Sequence, residues 1–164
     1  MGKVILICGK IGSGKTTYAR KLAKKQNAVM IGQDEIILGL FGANFHMDNP
    51  PLFRQHSDWV QEYVKRKSAE IAKAGAMVIC DNGFWSYGER DMLRQFYNEK
   101  GVICELHYMD TPENQRLKNI LSRNKAVKQG ELGYCFTQDD IIHHFFEEPA
   151  ACEIDFRVEF DKIH

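Results

Sequence analysis

The sequence predicts one α/β domain built on a mostly parallel sheet of about five strands. Two observations lead to this prediction. Short apolar runs alternate with segments long enough to form crossover helices. The first run, Val4 to Cys8, is continuously apolar, which is typical of a strand buried on both faces of a parallel sheet. A length of 164 residues suits a single domain spanning the whole chain, 1–164.

Each predicted element follows from a local pattern. The five apolar runs that predict strands are residues 4–8, 28–31, 77–80, 102–109 and 154–160. The expected helices are residues 17–25, 35–40, a long segment after Pro50-Pro51, and three that begin at Ser86, Thr111 and Thr137. Ser86 and Glu89 form a capping box, and Thr111 precedes a proline at a first helical position. Thr137 precedes an acidic first turn, which also favours a helix start.

Composition narrows the class of protein. Lys and Arg number 22 and so do Asp and Glu, so the formal net charge is zero and the basic footprint of most nucleic-acid binders is missing. The five cysteines form no C-x-x-C pair, which indicates a reduced protein without a disulfide framework or a zinc site. No apolar run approaches the roughly 20 residues that span a bilayer. These features predict a cytoplasmic protein without a membrane partner.

The strongest motif is a phosphate-binding loop. Residues 9–16 read GKIGSGKT, which matches G-x-x-x-x-G-K-[ST] directly between a predicted strand and a predicted helix. Glycines let backbone N–H groups point at a phosphate, Lys15 reaches the β- and γ-phosphates, and the Thr16 hydroxyl ligates Mg²⁺. The motif predicts binding of ATP and Mg²⁺ by Gly9, Lys10, Ile11, Gly12, Ser13, Gly14, Lys15, Thr16 and Thr17. A GTPase is disfavoured, since Asn124-Lys125-Ala126-Val127 lacks the aspartate of N-K-x-D.

Two aspartates follow predicted strands. Ligands of open parallel sheets bind outside the carboxyl ends of the strands, so Asp34 and Asp81 are expected near the phosphates. Asp34 either accepts the proton of an acceptor hydroxyl or only caps the short helix after it. Asp81 either holds Mg²⁺ through water or belongs to an Asp-Asn-Gly turn, and the nearby phosphate loop favours the metal role.

Cations are needed around a migrating phosphoryl group. Arg123 is the first choice and Arg116 the second, ahead of Arg90 and Arg94, whose roles the sequence leaves open. Arg123 opens a polar segment at 124–133 that predicts a lid over the phosphates. The alternatives are a cation at a helix C-terminus for Arg123 and an exposed helix position for Arg116. The histidine pair at 143–144 carries no recognisable motif.

The ordered motifs resemble the small P-loop kinases related to zeta toxin, chloramphenicol phosphotransferase and the kinase domain of phage polynucleotide kinase. The resemblance covers nearly the whole chain and is carried by residues 9–16, 33–35, 78–84, 89–90, 107–112, 116 and 122–124. It implies a nucleoside monophosphate kinase-like, three-layer P-loop NTPase fold with five parallel strands. It also implies that Asp34 activates the acceptor and that Arg123 is a lid arginine contacting ATP.

One position departs from this family. The polynucleotide kinases that this chain resembles carry the pattern D-x-x-R after the second strand, and its arginine holds an acceptor phosphate. This chain has Ile37 at the position of that arginine. Together with the zero net charge, this favours ATP-dependent phosphorylation of a hydroxyl on a small molecule, with acceptor contacts expected in the segment 41–51. The alternatives are a polynucleotide or nucleoside 5′-hydroxyl kinase and a non-catalytic ATP-binding switch.

Overall fold

A computed structural model describes residues 2–42, 50–131 and 133–160 of the chain. The strands are β1 (Lys3–Cys8), β2 (Val29–Ile31), β3 (Val78–Gly83), β4 (Ile103–Asp110) and β5 (Phe156–Glu159). The helices are α1 (Lys15–Gln26), α2 (Gln33–Phe41), α3 (Pro50–Lys73), α4 (Tyr87–Glu99), α5 (Glu113–Lys128) and α6 (Gln138–Ile142). A short 3-10 helix spans Ala151–Glu153.

The strands form one sheet in the order β2-β3-β1-β4-β5, and all neighbouring pairs are parallel. The predicted parallel sheet of five strands is therefore confirmed. β1 lies at its centre, with Val4 beside Val78 of β3 and Cys104 of β4. Because both faces of β1 are covered, its run from Val4 to Cys8 is fully buried, as the continuous apolar pattern indicates.

Two apolar clusters complete a three-layer architecture. On one face of the sheet, α3 and α4 pack through Val64 and Tyr97, whose hydroxyl lies 2.8 Å from Ser68 Oγ. On the other face, α1 packs through Ala19 against Ile5 and Ile7. Cys8, Cys80 and Cys104 are buried in strands as expected, and all five cysteines are free thiols. In the described part of the chain, no helix combines the length and apolarity that crossing a bilayer requires.

Several helix boundaries differ from the sequence prediction. α1 begins at Lys15 rather than at residue 17, and α5 continues to Lys128 instead of ending near Arg123. The Thr137 cap is confirmed, with Asp140 completing a capping box. Thr111 does not cap α5, because its hydroxyl donates to Ser13 O at 2.8 Å. A long-range contact has therefore replaced a local cap.

Candidate active site

The phosphate loop joins β1 to α1 in a conformation that depends on glycine. Gly12 has φ 76° and Gly14 has φ 89°, both in the left-handed region that disfavours side chains. A Cβ at Gly12 would lie 2.6 Å from Arg116 O and 2.7 Å from Ile120 Cγ1. The loop therefore packs directly on α5, and its backbone is free to turn its N–H groups toward an anion.

Two side chains anchor this loop from outside. Thr111 Oγ1 donates to Ser13 O, and Asn119 Nδ2 donates to Gly12 O, each at 2.8 Å. Sequence reasoning missed both anchors. Asn119 lies three residues after Arg116 and four before Arg123 on α5, so helical spacing could have placed it on the same face as these arginines.

Lys15 is held over its own loop. Its ammonium donates to Gly9 O at 2.8 Å and to Lys10 O at 3.0 Å. Burial lowers the pKa of Lys15, and the carboxylates of Asp81 and Asp34 act in the opposite direction. The ammonium is thus bonded to the loop backbone and attracted by two acids of the cleft, and it can exchange its carbonyl contacts for phosphate oxygens.

The predicted metal ligands are adjacent. Thr16 Oγ1 donates to Asp81 Oδ2 at 2.6 Å, which brings the start of α1 to the end of β3. Both groups present oxygen, the donor type that Mg²⁺ prefers, and Mg²⁺ sites commonly combine one carboxylate with substrate phosphates. The donor set therefore fits Mg²⁺ beside the phosphate loop.

Asp34 lies in the same cleft, one residue into α2. The N-cap of α2 is Gly32, so Asp34 is not the helix cap that the sequence left as an alternative. Gln33 N–H donates to Asn82 Oδ1 at 3.0 Å, which ties the start of α2 to β3. Desolvation raises the pKa of Asp34, although the Arg123 guanidinium opposes this shift and Asp81 adds to it. A carboxyl group with a raised pKa is a better proton acceptor than an ordinary aspartate.

The cleft has a volume of about 810 Å³ and is walled by α1, α2, the end of β3 and α5. Arg123 reaches it from α5, and its guanidinium carbon lies 4.7 Å from the centre of the Phe136 ring. The Asn124 side chain bonds the backbone of Phe136 through both its oxygen and its nitrogen. The segment predicted as a lid, 124–133, is helical up to Lys128. Through the bonds to Asn124, Phe136 is held against α5.

The other three candidate arginines are not part of the cleft lining. Arg116 is only 8% exposed, so the exposed helix position considered for it is wrong, and its Nε has no hydrogen-bond partner in the described residues. Arg90 is 3% exposed and bonds both carboxylate oxygens of Glu153, together with Phe84 O and Glu147 O. Arg94 donates to Asp155 and to Glu153 O. Arg90 and Arg94 therefore hold the segment before β5 against α4.

The expected acceptor segment 41–51 lies mostly outside the described residues, because 43–49 are not described. Aromatic side chains also line the cleft. Trp85 and Phe136 line the cleft beside Asn82, and Trp85 is 46% exposed. The aromatic group Phe84, Trp85 and Tyr87 after Asp81 is a sequence candidate for an acceptor pocket, whereas nothing local in the sequence marks Phe136.

Comparison with known proteins agrees with this architecture. A family model described as an AAA domain matches residues 4–132. No curated protein sequence matches the chain. The structure of the Mycobacterium tuberculosis APS kinase CysC in complex with AMPPNP and APS is similar, with a TM-score of 0.67 and 17% identity over 98% of this chain and 92% of that one.

Two further structures share the fold. A gluconokinase from Sinorhizobium meliloti 1021 has a TM-score of 0.63 and 15% identity, over 98% of this chain and 86% of that chain. A chain of the Pnkp1/Rnl/Hen1 RNA repair complex has a TM-score of 0.68 and 20% identity, over 86% of this chain and 42% of that chain. At such identities the likeness is one of fold. The chain belongs to this family of AAA domains, and its α/β fold is that of the P-loop kinases.

Proposed function

We propose that the protein is an ATP-dependent phosphotransferase that moves the γ-phosphate of Mg·ATP to a hydroxyl group of a small molecule. One observation carries the proposal. Lys15, Asp34 and Arg123 come from three different elements and line a single cleft next to the phosphate loop. Phosphoryl transfer uses such a set of a phosphate cradle, a proton acceptor and a cation that stabilises the migrating group.

The nucleotide binds through the phosphate loop. Its backbone N–H groups and the N-terminal end of α1 receive the phosphates, and Lys15 turns from Gly9 O and Lys10 O to the β- and γ-phosphates. Thr16 and Asp81 would hold the Mg²⁺ ion. When bound, the ion neutralises charge on the phosphate oxygens.

Asp34 and Arg123 act on the transferring group. The acceptor oxygen forms a bond to the γ-phosphorus while the bond from this phosphorus to the bridging oxygen of ADP breaks. The hydroxyl proton passes to the Asp34 carboxylate, whose raised pKa suits this role. The Arg123 guanidinium stabilises the negative charge of the migrating phosphoryl group, and the residues after α5 limit the access of water.

The residue at position 37 favours a small acceptor. Ile37 is 1% exposed and packs inside the protein, so the position that carries a phosphate-binding arginine in the resembled polynucleotide kinases cannot contact a ligand here. A cleft of about 810 Å³ also suits a nucleotide together with a compact acceptor. The exposed ring of Trp85 offers an apolar surface for the acceptor.

The test is ADP release from Mg·ATP with and without pooled acceptors, which are nucleosides, sugars, amino alcohols, aminoglycoside-like compounds and short oligonucleotides. Asp34→Asn is expected to lower acceptor-stimulated turnover by about 10²–10⁴-fold while ATP affinity stays within a few-fold. Asp58→Asn, on the exposed surface of α3, is the matched control. Lys15→Ala should weaken ATP binding itself.

The alternatives give different results. Stimulation by oligonucleotides alone, with a strong dependence on salt, would identify a nucleic-acid kinase instead. ATP binding without stimulation by any pool, unaffected by Asp34→Asn, would identify a nucleotide-binding switch. Wild-type phosphotransfer by Asp34→Asn would remove Asp34 from the mechanism.

A further inference from the structure

A segment at residues 143–149 links the loop after β3 to the phosphate loop after β1. The Glu147 N–H donates to Trp85 O at 2.9 Å, and the Glu148 carboxylate pairs with the Lys10 ammonium at 2.9 Å. Lys10 belongs to the phosphate loop and Trp85 lines the cleft. The segment therefore lies beside the phosphate-binding end of the cleft.

His144 of this segment contacts Trp85, a residue of the cleft lining. Its ring meets Trp85 edge-on with 4.9 Å between centroids, and it stacks on Phe146 at 6.4 Å with an interplanar angle of 17°. Its Nε2 is buried and has no hydrogen-bond partner in the described part of the chain. A buried polar nitrogen without a partner is unfavourable, and a ligand that supplies the partner removes this cost.

The charges that act on the pKa of His144 are all positive. Burial, followed by the charges of Lys15, Arg116 and Lys10, lowers the pKa of His144 to about 4, so the ring of the free protein is neutral near pH 7. The acids on neighbouring elements have partners of their own, which are Lys10 for Glu148, Tyr87 N–H for Glu147, Trp85 N–H for Glu89, Thr16 for Asp81 and Arg157 for Asp110.

Further donors near His144 carry no hydrogen bond to a carboxylate in the part of the chain that the structure describes. Arg116 also has a buried Nε without a partner among the described residues, and the Lys15 ammonium bonds only carbonyl oxygens of its own loop. We propose that His144 is a proton-accepting ligand of the nucleotide's phosphates: the neutral ring takes up a proton when the polyphosphate binds, and Nε2 then donates to a phosphate oxygen. This inference rests on the proposed function only in requiring nucleotide binding.

The proton comes from solvent. Bound phosphates favour its uptake because they raise the pKa of the His144 ring. Their negative charges offset those of the three cations, so the charged imidazolium is no longer disfavoured by its neighbours. A group whose pKa is higher in the complex than in the free protein makes binding stronger as pH falls between the two values. Nucleotide affinity is therefore expected to increase on mild acidification.

The test is an NMR titration of the histidine ring protons, in the free chain and in the chain saturated with MgADP. His144→Gln assigns the His144 signal by removing it. We expect the His144 midpoint to rise from about 4 in the free chain to above about 6 in the complex. Between pH ~7 and ~5.5, MgADP affinity should increase several-fold more in the wild type than in His144→Gln.

His143→Gln is the matched control, because the neighbouring His143 is 72% exposed and faces Asp139 instead of the cleft. It should behave as the wild type does. MgADP binding with unchanged midpoints for all six histidines would overturn the inference and leave the proposed function standing. A wild type that does not bind MgADP would overturn both. The wild-type midpoints decide the question even where His144→Gln fails to fold.

Discussion

Thr16 Oγ1 and Asp81 Oδ2 lie 2.6 Å apart, joined by a hydrogen bond from the hydroxyl to the carboxylate. The two residues are 65 positions apart in sequence, and they meet because β1 and β3 are neighbours in the sheet. The pair places a negative charge next to the hydroxyl expected to ligate Mg²⁺.

Asp81→Asn should lower the affinity of the nucleotide site for Mg²⁺. The amide oxygen can still accept from Thr16, but the charge that attracts a divalent cation is lost, and we expect the Mg²⁺ concentration for half-maximal nucleotide binding to rise about 10–100-fold. A Mg²⁺ titration of nucleotide binding measures this change. Thr16→Ser, which keeps the hydroxyl, serves as the control. An unchanged Mg²⁺ dependence in Asp81→Asn would contradict the assignment.

Gly12→Ala should disrupt the phosphate loop. The new Cβ would meet Arg116 O and Ile120 Cγ1 at under 3 Å in a left-handed conformation, so we expect a loss of about 1–3 kcal/mol in unfolding free energy and at least about tenfold in ATP affinity. Urea unfolding and nucleotide titration measure the two effects. Gly39→Ala, in α2 with open space around it, should instead stabilise the protein by about 0.5–1 kcal/mol. Equal effects at both positions would refute the packing argument.

Arg90→Met should cause a large loss of stability. It leaves the Glu153 carboxylate and the carbonyls of Phe84 and Glu147 without their buried partner, and we expect about 3–5 kcal/mol from urea unfolding. Replacing both charges, as in Arg90→Met with Glu153→Leu, should cost less than the sum of the single changes. Arg157→Met removes an exposed ion pair and should have a much smaller effect.

Asp34→Asn should raise the melting temperature near neutral pH. Because the pKa of Asp34 is raised in the folded protein, its ionised form is disfavoured there. The folded protein therefore loses stability as pH rises through that pKa, and it carries no such cost below the ordinary value of an aspartate. We expect a gain of roughly 1–3 °C at pH ~7 that disappears on acidification, measured by thermal unfolding. A gain that grows toward acid pH would contradict the direction of the shift.

The sequence alone predicted the parallel α/β sheet and the phosphate loop, for the same physical reason. A continuous apolar strand, a glycine pattern at fixed spacing and a helix start are local features, and backbone geometry within about ten residues decides them. The positions of Asp34 and Asp81 in one cleft beside the phosphate loop were also predictable, because parallel strands end at one edge of the sheet.

Tertiary structure decided what depends on distant partners. Thr111 has the sequence signature of a cap, but its hydroxyl bonds Ser13, 98 positions away. Arg90 is a candidate phosphate ligand by sequence, but in the folded protein its guanidinium is bonded to Glu153. His144 carries no motif, and only the packing of its segment beside the phosphate loop buries its ring and exposes it to the charges of Lys15, Arg116 and Lys10. The chain by itself determined the phosphate cradle, whereas long-range packing decided which polar side chains remain available to a ligand, since a side chain already bonded inside the protein cannot bind one.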